Sequence, residues 1–131
     1  MKEIFVFEVM SENVITCSPE SPLKDVVKIL SRDRLSSLVI TVDEEPVGII
    51  TERDLVSILD DMLNEVVWDK TSIENFMTTP TYTIRGDVAL HKAVKFTKEK
   101  DIRHLPVVNK ENKLIGILTQ TDLVNGLSKL T

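Results

Sequence analysis

A nine-residue stretch occurs twice in this chain and constrains its fold more than any other feature. Residues 48–56 read G-I-I-T-E-R-D-L-V, and residues 116–124 read G-I-L-T-Q-T-D-L-V. The copies start 68 positions apart in a chain of 131 residues. In each copy an apolar run leads into Thr-x-x-Asp, which predicts a short buried strand that enters a helix. The chain is therefore predicted to use one structural unit twice.

The residues around the two copies repeat in the same order. At an offset of 67 residues, Met10 aligns with Met77 and Leu23 with Leu90, and one residue is inserted in the second turn. Each half predicts the element order βαββα. Because a half of this size buries too little surface alone, we expect an α+β fold in which two repeats, related by a pseudo-twofold, pack sheet to sheet. The predicted boundaries are residues 1–66, which include an N-terminal lead-in, and residues 67–131.

Local signals give more detail about single elements. Residues 3–10 predict a short lead-in helix or strand. Ser21 before Pro22 is typical of a helix start with a serine N-cap, and Asp87 is the predicted N-cap of the helix in the second half. Pro106 lies in the apolar run of residues 105–108, and because proline cannot donate a backbone hydrogen bond, we expect an edge strand or an irregular stretch there.

Composition and charge argue against several classes of protein. The chain is 42% hydrophobic and 28% charged, as is usual for soluble globular domains. Its net charge of −5, with scattered basic residues, argues against a nucleic-acid surface. No apolar run approaches the ~20 residues of a membrane span, and the start lacks a signal-peptide pattern. With the single Cys17 read as a small apolar residue, we expect a cytoplasmic protein without disulfides.

The sequence also lacks the common catalytic signatures. It contains no H-E-x-x-H, C-x-x-C, G-x-S-x-G or G-x-x-x-x-G-K-[ST] motif. The two histidines, His91 and His104, lie on different predicted elements and are a poor basis for a transition-metal site. We therefore expect no enzyme activity, no metal site and no catalytic cofactor.

The Thr-x-x-Asp motif has two interpretations. Backbone N–H groups at a helix start favour an anion, and an acidic side chain can accept hydrogen bonds from ribose hydroxyls. A carboxylate repels phosphate, so Asp54 would hold a sugar, with phosphate near Thr51 and Arg53. The same spacing is also a capping box, in which Asp54 accepts from the Thr51 N–H. Both interpretations can hold in the unliganded protein.

The doubled Gly-h-h-Thr-x-x-Asp pattern (h is apolar), the Arg-His-Leu-Pro-Val run at 103–107 and a methionine opening each repeat resemble the cystathionine-β-synthase (CBS) domain. The tandem pair resembles a Bateman module, and the resemblance covers roughly residues 7–129. It implies a regulatory module without enzyme activity that binds an adenosyl ligand such as AMP, ADP, ATP or S-adenosylmethionine. Such modules commonly form homodimers. We expect no enzyme or channel to be fused to the module, and therefore expect a separate effector protein.

The resemblance also implies two ligand sites, each shared by the repeats. Site A carries Arg53 and Arg103 where site B carries Thr121 and Ser36, so we expect a phosphorylated nucleotide at site A. Site B would be weaker, empty or suited to a less charged adenosyl ligand. Site A comprises Thr51, Arg53, Asp54, Thr81, Tyr82, Ile102, Arg103, His104 and Pro106. Site B comprises Val14, Ile15, Leu35, Ser36, Ser37, Thr119, Thr121 and Asp122.

Two alternatives remain open at this point. His104 is as readily a satisfied structural histidine as a phosphate ligand. The whole chain could instead be a structural or protein-interaction module that dimerises and has a non-functional cleft. Stabilisation by an adenosyl compound distinguishes a sensor from such a module, because a ligand that binds the folded state stabilises it.

Overall fold

A computed structural model describes residues 3–62 and 70–129, apart from the side chains at positions 59, 61 and 62. In chain order its elements are α1 (Val6–Val9), β1 (Thr16–Cys17), α2 (Leu23–Arg32), β2 (Ser37–Val42), β3 (Glu45–Thr51), α3 (Glu52–Met62), a 3₁₀ turn (Ile73–Asn75), β4 (Ile84–Arg85), α4 (Leu90–Lys100), β5 (His104–Val108), β6 (Leu114–Thr119) and α5 (Gln120–Ser128).

The chain divides into two compact units. The first unit is Ile15–Thr81, and the second combines Met1–Val14 with Tyr82–Thr131. The predicted lead-in thus folds with the second half of the chain, as the one-turn helix α1. The division of the sequence into repeats at residues 1–66 and 67–131 stays a prediction, and the compact units are cut differently from it.

Each unit contains one three-stranded sheet. In the first unit β1 runs parallel to β2, and β2 pairs antiparallel with β3. In the second unit β4 runs parallel to β5, and β5 pairs antiparallel with β6. The predicted α+β class and the order βαββα in each repeat are confirmed.

The predicted helix faces form the core of each unit. In the first unit Leu23, Val26 and Leu30 of α2 are buried against strand residues that include Leu38 and Ile50. The second unit buries the equivalent face of α4 with Leu90, Ala93 and Thr97. The Thr97 hydroxyl donates to the carbonyl oxygen of Val94 at 2.9 Å, which satisfies this buried polar group.

The predicted N-caps of α2 and α4 are wrong. Pro22, not Ser21, is the N-cap of α2, and Ala89, not Asp87, is the N-cap of α4; neither helix has a side-chain cap. Asp87 instead accepts a hydrogen bond from the guanidinium of Arg85 at 2.7 Å. Helix α2 therefore begins one residue later than a cap at Ser21 predicts, and α4 begins two residues later than a cap at Asp87 predicts.

Main-chain carbonyl groups from distant segments take the place of these caps. The Leu23 N–H donates to the Thr71 carbonyl oxygen at 2.7 Å, and the Leu90 N–H donates to the Ile4 carbonyl oxygen at 2.7 Å. Helix starts leave N–H groups without intrahelical partners, and any acceptor can satisfy them. A side-chain cap is consequently not needed at this position of either helix.

We call residues 71–78 in the first unit and residues 4–11 in the second unit the straps. Each strap begins at a helix start and ends on the outer edge of the sheet. Thr78 exchanges two backbone hydrogen bonds with Ile49 of β3, at 2.8 and 3.2 Å, and Ser11 exchanges two with Ile117 of β6, both at 2.9 Å. The straps thus cover sheet edges that would otherwise expose unpaired backbone groups.

Pro106 lies in the central strand β5, so the prediction of an edge strand is wrong. A register irregularity between Val107 and Val108 lies beside it, as expected for an irregular stretch. Ile117, opposite Pro106, turns its N–H and C=O toward Ser11, so the proline nitrogen faces the β4 side. Since β4 is paired only from Val107 onward, the missing N–H removes no bond from the described ladder.

The tight approach of each strap predicts unequal costs for the same substitution at two glycines. A Cβ at Gly116 would lie 2.8 Å from the Ser11 carbonyl oxygen, which cannot move without breaking the strap's hydrogen bonds. A Cβ at Gly48 meets only the side chain of Met77 among its nearest atoms, and that side chain can rotate. We expect Gly116→Ala to lower the free energy of unfolding by about 2 kcal/mol and Gly48→Ala by less than about 1 kcal/mol.

Urea denaturation followed by circular dichroism measures both variants. Equal losses, or a larger loss for Gly48→Ala, would contradict the strap geometry.

Candidate functional site

The first Thr-x-x-Asp motif joins β3 to α3 and forms a hydrogen-bonded cap. The Thr51 N–H donates to Asp54 Oδ2 at 2.9 Å, and the Thr51 hydroxyl lies 3.2 Å from the same oxygen. In return the Asp54 N–H donates to Thr51 Oγ1 at 3.4 Å. Both side chains are half-buried. The sequence therefore ends a strand and starts a helix at one point and fixes a carboxylate there.

The second motif has the same geometry at the junction of β6 and α5. The Thr119 N–H donates to Asp122 Oδ2 at 2.9 Å, and the Asp122 N–H donates to Thr119 Oγ1 at 3.2 Å. This is a capping box, so the structural interpretation of the motif is confirmed in the second repeat, and the first repeat has the same bonds. Each carboxylate oxygen can accept two hydrogen bonds, so the cap leaves acceptor capacity for another donor.

A strap hydroxyl also approaches each of these carboxylates. Thr78 Oγ1 lies 3.4 Å from Asp54 Oδ1, and Ser11 Oγ lies 3.1 Å from Asp122 Oδ1. Sequence reasoning missed both hydroxyl residues. The signal that could have found them is the alignment of Met10 with Met77, because a hydroxyl residue follows each methionine.

The first unit contributes four residues of predicted site A. Thr51 and Asp54 form the cap, Arg53 is exposed in the first turn of α3, and Thr81 is half-buried at the end of the unit. The Thr51–Asp54 cap and the Arg53 side chain thus belong to the same first turn of α3.

The second unit contributes the other residues of predicted site A. Arg103 is exposed, and Ile102 and His104 are half-buried at the entry to β5. His104 pairs with Thr119 across the β5–β6 hairpin, whereas Pro106 is buried. The interpretation of His104 as a phosphate ligand stays a prediction.

Tyr82, the fifth of these residues, belongs to an aromatic and cationic cluster that the sequence did not reveal. Tyr82 is 48% exposed, and its ring stands edge-on to Phe96, with 5.7 Å between ring centroids. The Lys100 ammonium lies 5.5 Å from the centroid of the same ring, within the range of a cation–π contact. A flat half-exposed ring beside a cation can contact an aromatic anionic ligand.

The residues of predicted site B are also divided between the units. In the first unit Ser37 pairs with Thr51 across the β2–β3 hairpin, so one residue of each predicted site meets there. The first unit holds Ile15, Leu35, Ser36 and Ser37, and the second unit holds Val14, Thr119, Thr121 and Asp122. Because sites A and B each draw on both units, their assembly stays a prediction.

The two repeats differ in charge around these residues. The position equivalent to Lys100 is Asp33 in the first repeat. The Arg32 guanidinium donates to Asp33 at 3.0 Å, and this hydrogen bond lowers the pKa of the Asp33 carboxyl. The first repeat therefore has an Arg32–Asp33 ion pair at the position where the second repeat has Lys100 beside Tyr82.

Several other features of the described residues bear on the site. A groove of about 350 Å³ in the second unit is lined by residues that include Phe7, Arg85 and Lys110, and it contains none of the predicted site residues.

Burial raises the pKa of the Cys17 thiol, which keeps it protonated at neutral pH and unreactive.

Within residues 3–62 and 70–129, no group of three histidine, cysteine or acidic side chains is close enough together to hold a metal ion. In the same ranges no helix has the length and apolar character needed to cross a bilayer.

Comparison with known proteins gives the family. The family model described as the CBS domain matches residues 6–61 and again residues 73–129. An uncharacterized protein of Methanopyrus kandleri is 36% identical over 95% of this chain, and the chain spans 63% of its length. The inosine-5′-monophosphate dehydrogenase of Methanocaldococcus jannaschii is 30% identical over 89% of this chain, which spans only 22% of that enzyme.

Solved structures of CBS-domain pairs share the fold. The CBS-pair protein CBSX2 of Arabidopsis thaliana has a TM-score of 0.84 at 22% identity, covering 98% of this chain and 97% of that one. The CBS domain pair of protein MJ0100, in complex with 5′-methylthioadenosine and S-adenosyl-L-methionine, has a TM-score of 0.84 at 24% identity and covers 99% of this chain and all of its own. With two family matches that together span most of its length, this chain belongs to the CBS-domain family as a tandem pair.

Proposed function

We propose that this chain is a regulatory module that binds a phosphorylated adenosyl nucleotide at site A. The observation that carries the proposal is the doubled Thr-x-x-Asp cap, which holds a half-buried carboxylate beside the N–H groups of a helix start. Such a helix start favours phosphate, and the carboxylate suits ribose hydroxyls. Asp54 would bind the ribose, and Thr51 and Arg53 would contact the phosphate.

The charge difference between the repeats supports site A as the phosphate site. Arg103 and Lys100 supply cations in the second unit, and Arg53 supplies one in the first turn of α3. The equivalent positions in the other repeat are Ser36, Asp33 and Thr121. Site B would therefore be empty or would take a less charged adenosyl ligand.

The aromatic cluster supports an adenine ring in site A. Lys100 and Phe96 both contact Tyr82 and restrict how its ring can turn. A restrained aromatic ring loses little conformational freedom when a planar base packs on it. Backbone groups near residues 81–82 would read the edge of the base.

Related CBS pairs support the ligand class. One solved structure is CBSX2 in complex with AMP, which has a TM-score of 0.83 with this chain at 24% identity. The MJ0100 pair carries 5′-methylthioadenosine and S-adenosyl-L-methionine. Both structures contain adenosyl compounds, and the two arginines of site A, Arg53 and Arg103, favour a phosphorylated ligand.

The proposed output is a change in the conformational preference of the module, read by a separate effector protein in the cytoplasm. A ligand shifts such an equilibrium only by its difference in affinity for the two conformations. The proposal assigns this chain no catalytic step and no catalytic cofactor. The dehydrogenase match is consistent with this role, because the chain corresponds to only 22% of that enzyme.

Isothermal titration with AMP tests the site A assignment. We expect Arg103→Ala and Asp54→Asn each to weaken AMP binding by about tenfold or more, because each removes a hydrogen bond to or from a charged group. Arg103→Ala should leave the affinity for adenosine nearly unchanged, since adenosine has no phosphate. Asp54→Asn keeps an oxygen that can accept from the Thr51 N–H, so the cap is largely preserved.

Arg85→Ala and Asp87→Asn are the matched controls, because both residues are exposed and lie outside sites A and B. They should bind AMP like the parent chain. Parent-like binding by both Arg103→Ala and Asp54→Asn would show that site A is assigned wrongly. If AMP, ATP and S-adenosylmethionine all fail to raise the melting temperature, the sensor function itself is wrong.

A second candidate, favoured by a separate observation, is a dimerisation or protein-interaction module. Val56 on α3 and Val124 on α5 occupy equivalent positions of the two repeats and are 69% and 66% exposed. Two exposed valines at matching positions favour contact with another protein surface. We propose that they contact a second copy of the chain in a homodimer, which is compatible with nucleotide binding.

Light scattering coupled to size exclusion tests the homodimer. We expect the parent to elute as a dimer and a Val56→Lys, Val124→Lys double variant to elute as a monomer, because buried unpaired ammonium groups are costly in an interface. Lys substitutions at the exposed Ser57 and Asn125, which lie about 100° around the same helices from the two valines, are the matched control and should leave the dimer intact. A monomeric parent, or a dimeric double variant, would contradict this assignment.

A further inference from the structure

The carboxylate of each Thr-x-x-Asp motif is held from two sides. Thr51 binds Asp54 from the helix start through Oδ2, and the Thr78 hydroxyl approaches from the strap at 3.4 Å from Oδ1 and 3.5 Å from Oδ2. The second unit repeats the arrangement, with Ser11 Oγ at 3.1 Å from Asp122 Oδ1 and 3.3 Å from Oδ2. Two independent units thus place a hydroxyl group at the same place beside the same carboxylate.

The position of the strap hydroxyl is fixed by the main chain. Thr78 exchanges backbone hydrogen bonds with Ile49, and the preceding Met77 side chain packs over Gly48. The hydroxyl therefore does not depend on its own weak contact to stay near Asp54. Its role can be separated from the fold, because replacing the hydroxyl leaves both backbone bonds in place.

We infer that Thr78 is a positioning residue, which turns the Asp54 carboxylate so that Oδ1 faces a ribose diol. This inference rests on the proposed function, in which Asp54 binds the ribose. Oδ2 is committed to the Thr51 N–H at 2.9 Å, so Oδ1 is the oxygen with more capacity for a ligand. One hydrogen bond from Thr78 restricts rotation of the carboxylate and leaves Oδ1 a lone pair for a ribose hydroxyl.

The location of Thr78 gives this contact a second consequence. Thr78 lies on the chain that links α3 to β4, inside the second CBS match at residues 73–129. A ribose on Asp54 Oδ1 shares its acceptor with this linking segment. Ligand binding at the carboxylate would therefore change the contact between Asp54 and the segment that links α3 to β4.

The experiment compares Thr78→Val, Thr78→Ser and the parent by titration with AMP and with 2′,3′-dideoxyadenosine 5′-monophosphate. Valine has the shape of threonine without the hydroxyl group, and serine restores the hydroxyl. We expect Thr78→Val to weaken AMP binding about fivefold, because an exposed hydrogen bond to a charged group is lost. Binding of the dideoxy nucleotide, which cannot use Asp54, should stay within about 1.5-fold of the parent, and Thr78→Ser should restore AMP binding.

Thr79→Val is the matched control. The Thr79 hydroxyl is also on the linking segment, but it donates to the Val47 carbonyl oxygen at 3.0 Å and not to Asp54. Any effect of Thr79→Val should be the same for both nucleotides. This control separates a general loosening of the segment from a loss that depends on the ribose hydroxyls.

The outcomes distinguish the inference from the function on which it rests. If Thr78→Val weakens both nucleotides equally, or weakens neither, Thr78 does not position Asp54, while AMP binding stands. If the parent binds the dideoxy nucleotide as tightly as AMP, Asp54 does not hold the ribose and the inference is overturned. If the parent binds neither nucleotide, the proposed function fails and the inference fails with it.

Discussion

The structure depends on two main-chain hydrogen bonds that join distant parts of the sequence. The Leu23 and Leu90 N–H groups, at the starts of α2 and α4, donate to carbonyl oxygens of the straps at 2.7 Å. Each bond satisfies a helix start from which no side chain reaches back. The same straps continue to the sheet edges, so a short segment both caps a helix and closes a sheet. The first unit, Ile15–Thr81, contains its strap within one continuous stretch, whereas the second unit takes its strap from the other end of the chain.

The capping box and the proposed ligand site use the same atoms. A Thr or Asp cap contributes about 1 kcal/mol to a helix, which is enough to fix the carboxylate before any ligand arrives. A site that is already ordered loses less conformational entropy on binding. The structural and functional interpretations of Thr-x-x-Asp are thus consistent with each other. The fold needs the acceptor for the Thr N–H, and the ligand would use the acceptor capacity that remains.

The two repeats differ in charge at several positions of the proposed sites. The helix starts of α3 and α5 are nearly identical in geometry, but the surrounding side chains are not. Lys100 lies beside Tyr82 in the second repeat, where the first repeat has Asp33 paired with Arg32. With Ser36 and Thr121 at the positions of Arg103 and Arg53, the proposed site B would suit a less charged adenosyl compound than the proposed site A.

Much of the fold could be predicted from sequence because hydrophobic periodicity reports local burial. The helix faces, the hairpins and the repeat of βαββα all follow from it, as Leu23, Val26 and Leu30 illustrate. The N-caps at Ser21 and Asp87 failed because a distant carbonyl group can satisfy a helix start as well as a nearby side chain. The prediction of an edge strand at Pro106 failed for a similar reason: a proline is accommodated in the central strand β5 because the short strand β4 does not extend to the proline nitrogen. The repeat alignment singles out Thr78 as a position to inspect, but its contact with Asp54, like the straps and the contact of Lys100 with Tyr82, depends on distant residues that periodicity does not report.

A crystal structure of the chain grown with AMP tests the central claim most directly. The account predicts one AMP with its ribose hydroxyls on Asp54 Oδ1 and its phosphate among Arg53, Arg103 and the start of α3. AMP bound elsewhere, for example in the groove lined by Phe7, Arg85 and Lys110, would contradict the claim. So would an AMP whose phosphate, and not its ribose, lies against Asp54.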